Sequence, residues 1–213
     1  MMHSGTWAWP LLFLLGAYHG INPAMGWLFA VALGLQRQSA KAVWQALLPI
    51  AIGHIVAIAL VVGVAAAAGL VFPLFYVKIT VAALLIGFGI YRVAGKGHLR
   101  WGGMQVGFKD LTIWSFLMAS AHGAGLMLLP IVLGMTAPQE ARDMHTSGFP
   151  TAVSSQILAV AVHTFGYLVV TGIVAWIVYT KLGLSLLRRN WFNLDLIWAV
   201  ALIVTAGLTF VRF

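Results

Sequence analysis

The stretch Gly16-Ala-Tyr-His-Gly-Ile-Asn-Pro-Ala-Met-Gly26 lies inside an apolar run, Trp7–Leu35, and decides how that run can fold. As continuous helix the run would measure about 45 Å, too long to cross the ~30 Å hydrocarbon layer of a bilayer as one straight span. Pro23 disfavours the helical conformation at Asn22 and removes a backbone donor. Gly20 and Gly26 relax the chain on either side. The expectation is a helix broken or sharply kinked just after His19, its freed carbonyls and amides facing a cavity, where a membrane tolerates irregular backbone. A proline kink filled by a neighbouring helix is the simpler alternative. A matching, softer break is expected at His122-Gly-Ala-Gly125, where Gly123 and Gly125 loosen the chain and Pro130 follows.

Composition sets the class in which that break occurs. Of 213 residues, 62% are hydrophobic and 8% charged, with a mean hydropathy of +1.00, far from a soluble domain. Six stretches are long and apolar enough to cross a bilayer: Trp7–Leu35, Val43–Ala66, Val77–Val93, Leu111–Met135, Ser155–Thr180 and Asn193–Val211. The expected fold class is all-α, a polytopic membrane protein of six transmembrane helices whose first and fourth are broken. The first segment is not expected to be a cleavable signal peptide, because Met1–Trp7 has no positive charge and the apolar run is too long. Cysteine is absent, which excludes disulfides, thiolate metal sites and thiol relays.

The basic excess reads as topology. Arg37, Lys41, Arg92, Lys96, Arg100, Lys109, Lys181, Arg188 and Arg189, nine of the twelve Lys and Arg residues, fall in alternate loops on one side. Lys78, Arg142 and Arg212 fall on the other. Positively charged loops stay in the cytoplasm, so both termini are expected outside a bacterial inner membrane. Trp44, Trp114, Trp176 and Trp191 near one set of ends, with Trp7 and Trp9 near the other, suit interfacial anchors. The partner is the lipid bilayer, with no basic soluble surface for nucleic acid.

The chain also repeats. Residues 1–95 read as a first three-helix unit, 96–110 as a cytoplasmic linker and 111–213 as a second unit. Ala17-Tyr-His-Gly20 is echoed by Ser120-Ala-His-Gly123, and Gly53-His54 by Val162-His163, at separations of 103 and 109 residues. The loop Thr136–Thr151 accounts for the drift. An odd number of spans in each half requires the second to insert upside down, giving a 3+3 inverted repeat, an arrangement that places transporter substrate sites at the midplane.

His19, His54, His122 and His163 are the ionisable side chains at mid-membrane depth, where a polar group is costly and usually functional. The four acids, Asp110, Glu140, Asp143 and Asp195, lie in loops or near ends, so a hard cation lacks its oxygen cage. Imidazole suits zinc, copper, nickel and cobalt, and His also carries protons near neutral pH. The four histidines are therefore candidate metal ligands or proton acceptors. Asn22, Tyr18 and Tyr167 would supply hydrogen bonds, Tyr167 sharing a helical face with His163. Met118 and Met25 read as packing, and His3, His98 and His145 as solvated loop residues. Lys78 snorkels and Asp195 sits at a helix start, both structural.

This layout, with polar residues beside broken first and fourth helices, resembles the lysine-exporter superfamily of amino-acid exporters, nickel and cobalt exporters and thiol-relay membrane proteins of cytochrome c maturation. The dense His and Asp motif of the nickel exporters' first helix is reduced here to His19-Gly20 with Asn22-Pro23, and the thiol family's paired cysteines are missing. Tyr18-His-Gly-Ile-Asn-Pro-Ala-Met-Gly-Trp27 is also similar to a phrase in a family of bacterial inner-membrane proteins. The resemblance implies a secondary transporter, and no enzyme is expected. A transition-metal cation is the favoured cargo. The alternatives are a small organic solute with histidine-mediated proton coupling, or a bis-histidine haem b electron carrier. A metallohydrolase would need a mid-span acid. A homodimer would give so small a chain its thickness.

Overall fold

The structure is a computed structural model and describes residues 7–94, 107–135, 148–182 and 194–208. Among these every regular element is helical. Sequences dominated by Leu, Val, Ala and Ile, placed where water cannot pair the backbone, satisfy their amides and carbonyls within the segment. Helix α1 (Ala8–Ile21) is followed by a 3-10 turn (Pro23–Met25) and α2 (Trp27–Gln36). Then come α3 (Ala40–Val71), α4 (Leu74–Ala94), α5 (Phe108–Ala121), α6 (Ala124–Met135), α7 (Gly148–Ile177, continued by a π turn over Val178–Leu182) and α8 (Leu194–Leu208).

Two of these, α3 and the Val153–Lys181 part of α7, are long and apolar enough to cross a membrane. The bent pair α5–α6 makes a third if taken as one span, and α1, α2 and most of α4 are shorter apolar helices. Several boundaries move from those read in the sequence. The second span grows to 32 residues in α3, and the fifth begins at Gly148, inside the expected Thr136–Thr151 loop. Helix α5 begins at Phe108, inside the expected linker, because the Asp110 carboxylate accepts the Gly107 backbone N–H at 2.9 Å and closes the first turn. Most of the linker, the rest of that loop, both termini and His3, His98 and His145 lie outside the described residues.

Pro49 sits within α3 without ending it. Next to it, the Ile50 carbonyl accepts the Ser115 hydroxyl of α5 at 2.7 Å, buried from solvent. Ser115→Ala is expected to lower unfolding free energy by about 1 kcal/mol, the net worth of one such bond, read from chemical unfolding in detergent.

Packing pairs the helices across the chain: α1 lies along α7, α3 along α5, and α4 along α8. Glycines make the first two contacts close. A Cβ on Gly16 would strike the His163 carbonyl, one on Gly20 the Tyr167 carbonyl, and one on Gly166 the Phe13 carbonyl. Gly53 of α3 stands likewise against the Thr112 carbonyl of α5. Small residues that let backbones touch are the usual means of helix association where lipid removes the hydrophobic drive. The outer faces are the reverse: Leu48, Ile52, Val56, Leu60 and Val64 on α3, and Ile157, Leu158, Phe165 and Ile173 on α7, are exposed. Apolar area on that scale marks a surface built for an apolar neighbour.

Candidate functional site

The site grows from two interruptions of helix. At the first, α1 stops at Ile21 and Asn22 turns extended (φ −68°, ψ 122°). The Asn22 Oδ1 accepts the Ala24 N–H at 2.9 Å and caps the 3-10 turn. Gly26 then takes φ 150°, a conformation that suits glycine alone, before α2 starts. The carbonyls freed by the break do not face an open cavity. The Trp27 indole N–H donates to the Ile21 carbonyl at 2.8 Å, and the Tyr167 hydroxyl of α7 donates to the Met25 carbonyl. The simpler expectation, a break filled by its neighbours, describes it better than a cavity does. At the second interruption α5 and α6 meet at 59° across His122–Gly123. Gly123, at φ 68°, makes a full bend rather than a soft one. Gly125 falls inside α6, packed on Val61, and Pro130 is carried within that helix.

Each break holds a histidine in the same way. His19, in the last turn of α1, donates Nδ1–H to the Leu15 carbonyl at 2.7 Å. His122, just past α5, donates Nδ1–H to the Met118 carbonyl at 2.8 Å. In the neutral ring that anchor leaves the lone pair on Nε2.

His54 of α3 and His163 of α7 complete the group. His19, His54 and His163 are fully buried. Their ring centres are 5.1 Å apart for His19–His163, 6.1 Å for His19–His54 and 5.6 Å for His54–His163. His122 is within electrostatic reach of His19. The His54 and His163 rings are inclined by only 8°, and their Nε2 atoms are 3.4 Å apart. Two parallel rings with centres 5.6 Å apart bring their nitrogens that close only if both nitrogens lie on the line between the centres. The rings are therefore coplanar and meet tip to tip. One donates Nε2–H, the other accepts. The Nδ1 of each is buried with no hydrogen-bond partner among the described residues, and the Leu12 backbone carbonyl lies near the His163 ring.

Tyr167 presses its ring flat on His54, centres 3.9 Å apart and planes 14° from parallel, while its hydroxyl holds the first break. One side chain thus ties α7 to α3 and to the Pro23–Met25 turn. Asn22 is buried beside them with its Nδ2 unpaired among the described residues. Tyr18 is half-buried, its ring edge-on to His19. Tyr167→Phe keeps the stacked ring and leaves the Met25 carbonyl buried and unmet. Its expected cost is about 1–3 kcal/mol, measured as a fall in unfolding midpoint beside wild type.

As a metal centre the arrangement is incomplete. Among the described residues no three of His, Cys, Asp or Glu are grouped to hold an ion. The Nε2 atoms of His54 and His163 point straight at each other across 3.4 Å, so an ion lying along both lone pairs would be squeezed below the ~2 Å of a metal–imidazole bond. A bis-histidine haem between this pair fails by the same measure. A cavity of about 540 Å³ beside Leu60, Val61, Val81 and Leu126 is walled mostly by apolar side chains, with Tyr76 and Thr80 among them, and does not include the histidines.

The sequence alone does not reveal the packing roles of Gly53 and Gly166 or the bond from Ser115. The spacing Gly16-x-x-x-Gly20 is a legible small-residue signal; nothing local announces that Ser115 serves Ile50. The chain matches no protein-family model, no curated protein and no solved structure in comparison with them.

Proposed function

We propose that the chain is a secondary transporter of the bacterial inner membrane, with six spans in a 3+3 inverted repeat, moving a small solute past histidines that carry protons. The observation that carries this reading is the convergence of His19, His54 and His163, all fully buried, from α1, α3 and α7. Buried ionisable groups inside a membrane bundle belong to substrate or proton paths. Exchanging α1 with α5, α3 with α7, and α4 with α8 maps the three main packing pairs onto themselves. The like anchoring of His19 and His122 supports the same symmetry. On this reading α3 and α7 belong to opposite halves, the two termini face outward, and the resemblance to the lysine-exporter superfamily reflects shared architecture.

The tip-to-tip meeting of His54 and His163 favours proton handling over metal holding in this conformation. A transition-metal cargo is the second reading. It is favoured by the Nδ1 anchoring of His19 and His122, the orientation that backbone carbonyls impose on metal-ligating imidazoles.

Purified protein in vesicles loaded with a pH dye separates the readings. Under an imposed gradient, amino acids and small organic acids are added in turn, then nickel, cobalt, zinc and copper. Solute-driven proton movement that needs the protein supports the first reading, and protein-dependent metal uptake the second. A vesicle that moves none of them, with a reduced haem band in the absorption spectrum, would sink both.

A further inference from the structure

We propose that His54 and His163 form a two-imidazole proton wire that passes one proton and must then be reset by separation of α3 from α7. This rests on the transporter reading above and deepens it.

The geometry supplies each part. The rings are coplanar and share one proton between Nε2 atoms 3.4 Å apart. If His54 carries that proton, its Nδ1 holds a lone pair, and His163 carries its own proton on Nδ1. A proton arriving at Nδ1 of His54 makes an imidazolium. The Nε2–H bond of His54 then breaks as an N–H bond forms at Nε2 of His163. The Nδ1–H of His163 breaks in turn and releases a proton on the far side. One proton has entered, one has left, and both rings are neutral again. The tautomers, however, have exchanged. His54 now presents an N–H where the next proton would have to land, and His163 a lone pair where it would have to leave. A second proton cannot follow in the same direction. A proton passing backward would restore the starting tautomers but cancel the net transfer, and turning a ring cannot interchange its Nδ1 and Nε2. For net passage in one direction the rings must part and exchange protons with their surroundings, His54 gaining one on Nε2 and losing one from Nδ1 while His163 gains one on Nδ1 and loses one from Nε2, so each restoration costs one conformational cycle.

The surroundings suit such a device. Both outer Nδ1 atoms are buried without a hydrogen-bond partner among the described residues, unlike the carbonyl-anchored Nδ1 atoms of His19 and His122, and the Leu12 backbone carbonyl lies near the His163 ring. Tyr167, packed flat on His54, fixes that ring in the plane of its partner. The titratable groups facing the pair are His19 from α1, His122 from the α5–α6 break by way of His19, and Tyr167 from α7. No Lys, Arg, Asp or Glu among the described residues is buried with them. The groups set around the pair are thereby imidazoles and one tyrosine.

Nitrogen NMR of the full chain in lipid nanodiscs, labelled with ¹⁵N-histidine, tests the wire without any solute. The expected spectrum has one ring protonated on Nε2 and the other on Nδ1, their Nε2 nitrogens scalar-coupled through the shared proton. His54→Gln and His163→Gln assign the two rings, and each removes the coupling. The same tautomer on both rings, or no coupling between those nitrogens in wild type, overturns the wire whatever the vesicles carry. In dye-loaded vesicles under a membrane potential, wild type without solute is expected to show no sustained proton current. A steady current lost in His54→Gln would overturn the one-proton limit. A coupled pair in a protein that moves no solute would remove the transporter reading, and with it the pair's proposed part in a cycle.

Discussion

Gly16→Ala is expected to lower the stability of the protein by about 1–3 kcal/mol, and Gly16→Leu to prevent the helices from assembling. The α1–α7 contact is a contact of backbones: a Cβ at Gly16 would occupy the space of the His163 carbonyl, and its neighbours include the Tyr167 amide. Neither can step aside as a flexible side chain can, so α1 must move away from α7 as a whole. That displacement would also pull His19 from His163, whose ring centres are 5.1 Å apart. Gly63 provides the control, having no atom within 4 Å of a Cβ built there. Gly63→Ala should stay within about 0.5 kcal/mol or gain slightly from helix propensity. Unfolding in detergent followed by circular dichroism compares the three, and equal stability of Gly16→Ala and Gly63→Ala would refute the close-packed interface.

The other large effect is on activity. Each of His19→Ala, His54→Ala, His122→Ala and His163→Ala is expected to abolish transport in the vesicle assay, while the protein still inserts and elutes as a folded species. A proton acceptor removed from its path costs on the order of a hundredfold or more, enough to take flux to background. For His54→Ala and His163→Ala the reason is direct, since each removes one end of a shared proton. For His19→Ala and His122→Ala it is the loss of the two rings fixed at the helix breaks. Because a truncated buried ring also leaves a void, His→Gln at each position keeps the volume closer and should fail equally. Normal transport by both His54→Ala and His163→Ala would refute the shared site.

Much of this architecture is legible in the chain. The apolar runs announce helices, and Asn22-Pro23 with Gly26 announces where the first one stops, because those residues act on the backbone within a turn of themselves. Gly123 does the same for the bend between α5 and α6. The Gly148 start of α7 was not legible, since helix ends depend on packing as much as on local preference. Nor was the filling of the first break. From Pro23 the sequence suggests an open, polar gap, but the groups that close it are Trp27, a few residues on, and Tyr167, 142 residues away from Met25.

By itself the sequence determined the helical, apolar character of the chain, the places where helices break, and which four imidazoles lie deep within apolar runs. These follow from interactions within a few residues and from the cost of polar groups in an apolar medium. Only the tertiary structure decided that His54 and His163 meet tip to tip, that Tyr167 lies flat on one of them, and that carbonyls freed at Pro23 are capped rather than open. Apart from the Trp27 cap on Ile21, six residues away, those relations join residues more than a hundred positions apart. They depend on how closely the helices approach, which Gly16, Gly20 and Gly166 permit between α1 and α7, and Gly53 between α3 and α5, by having no side chain to hold the backbones apart.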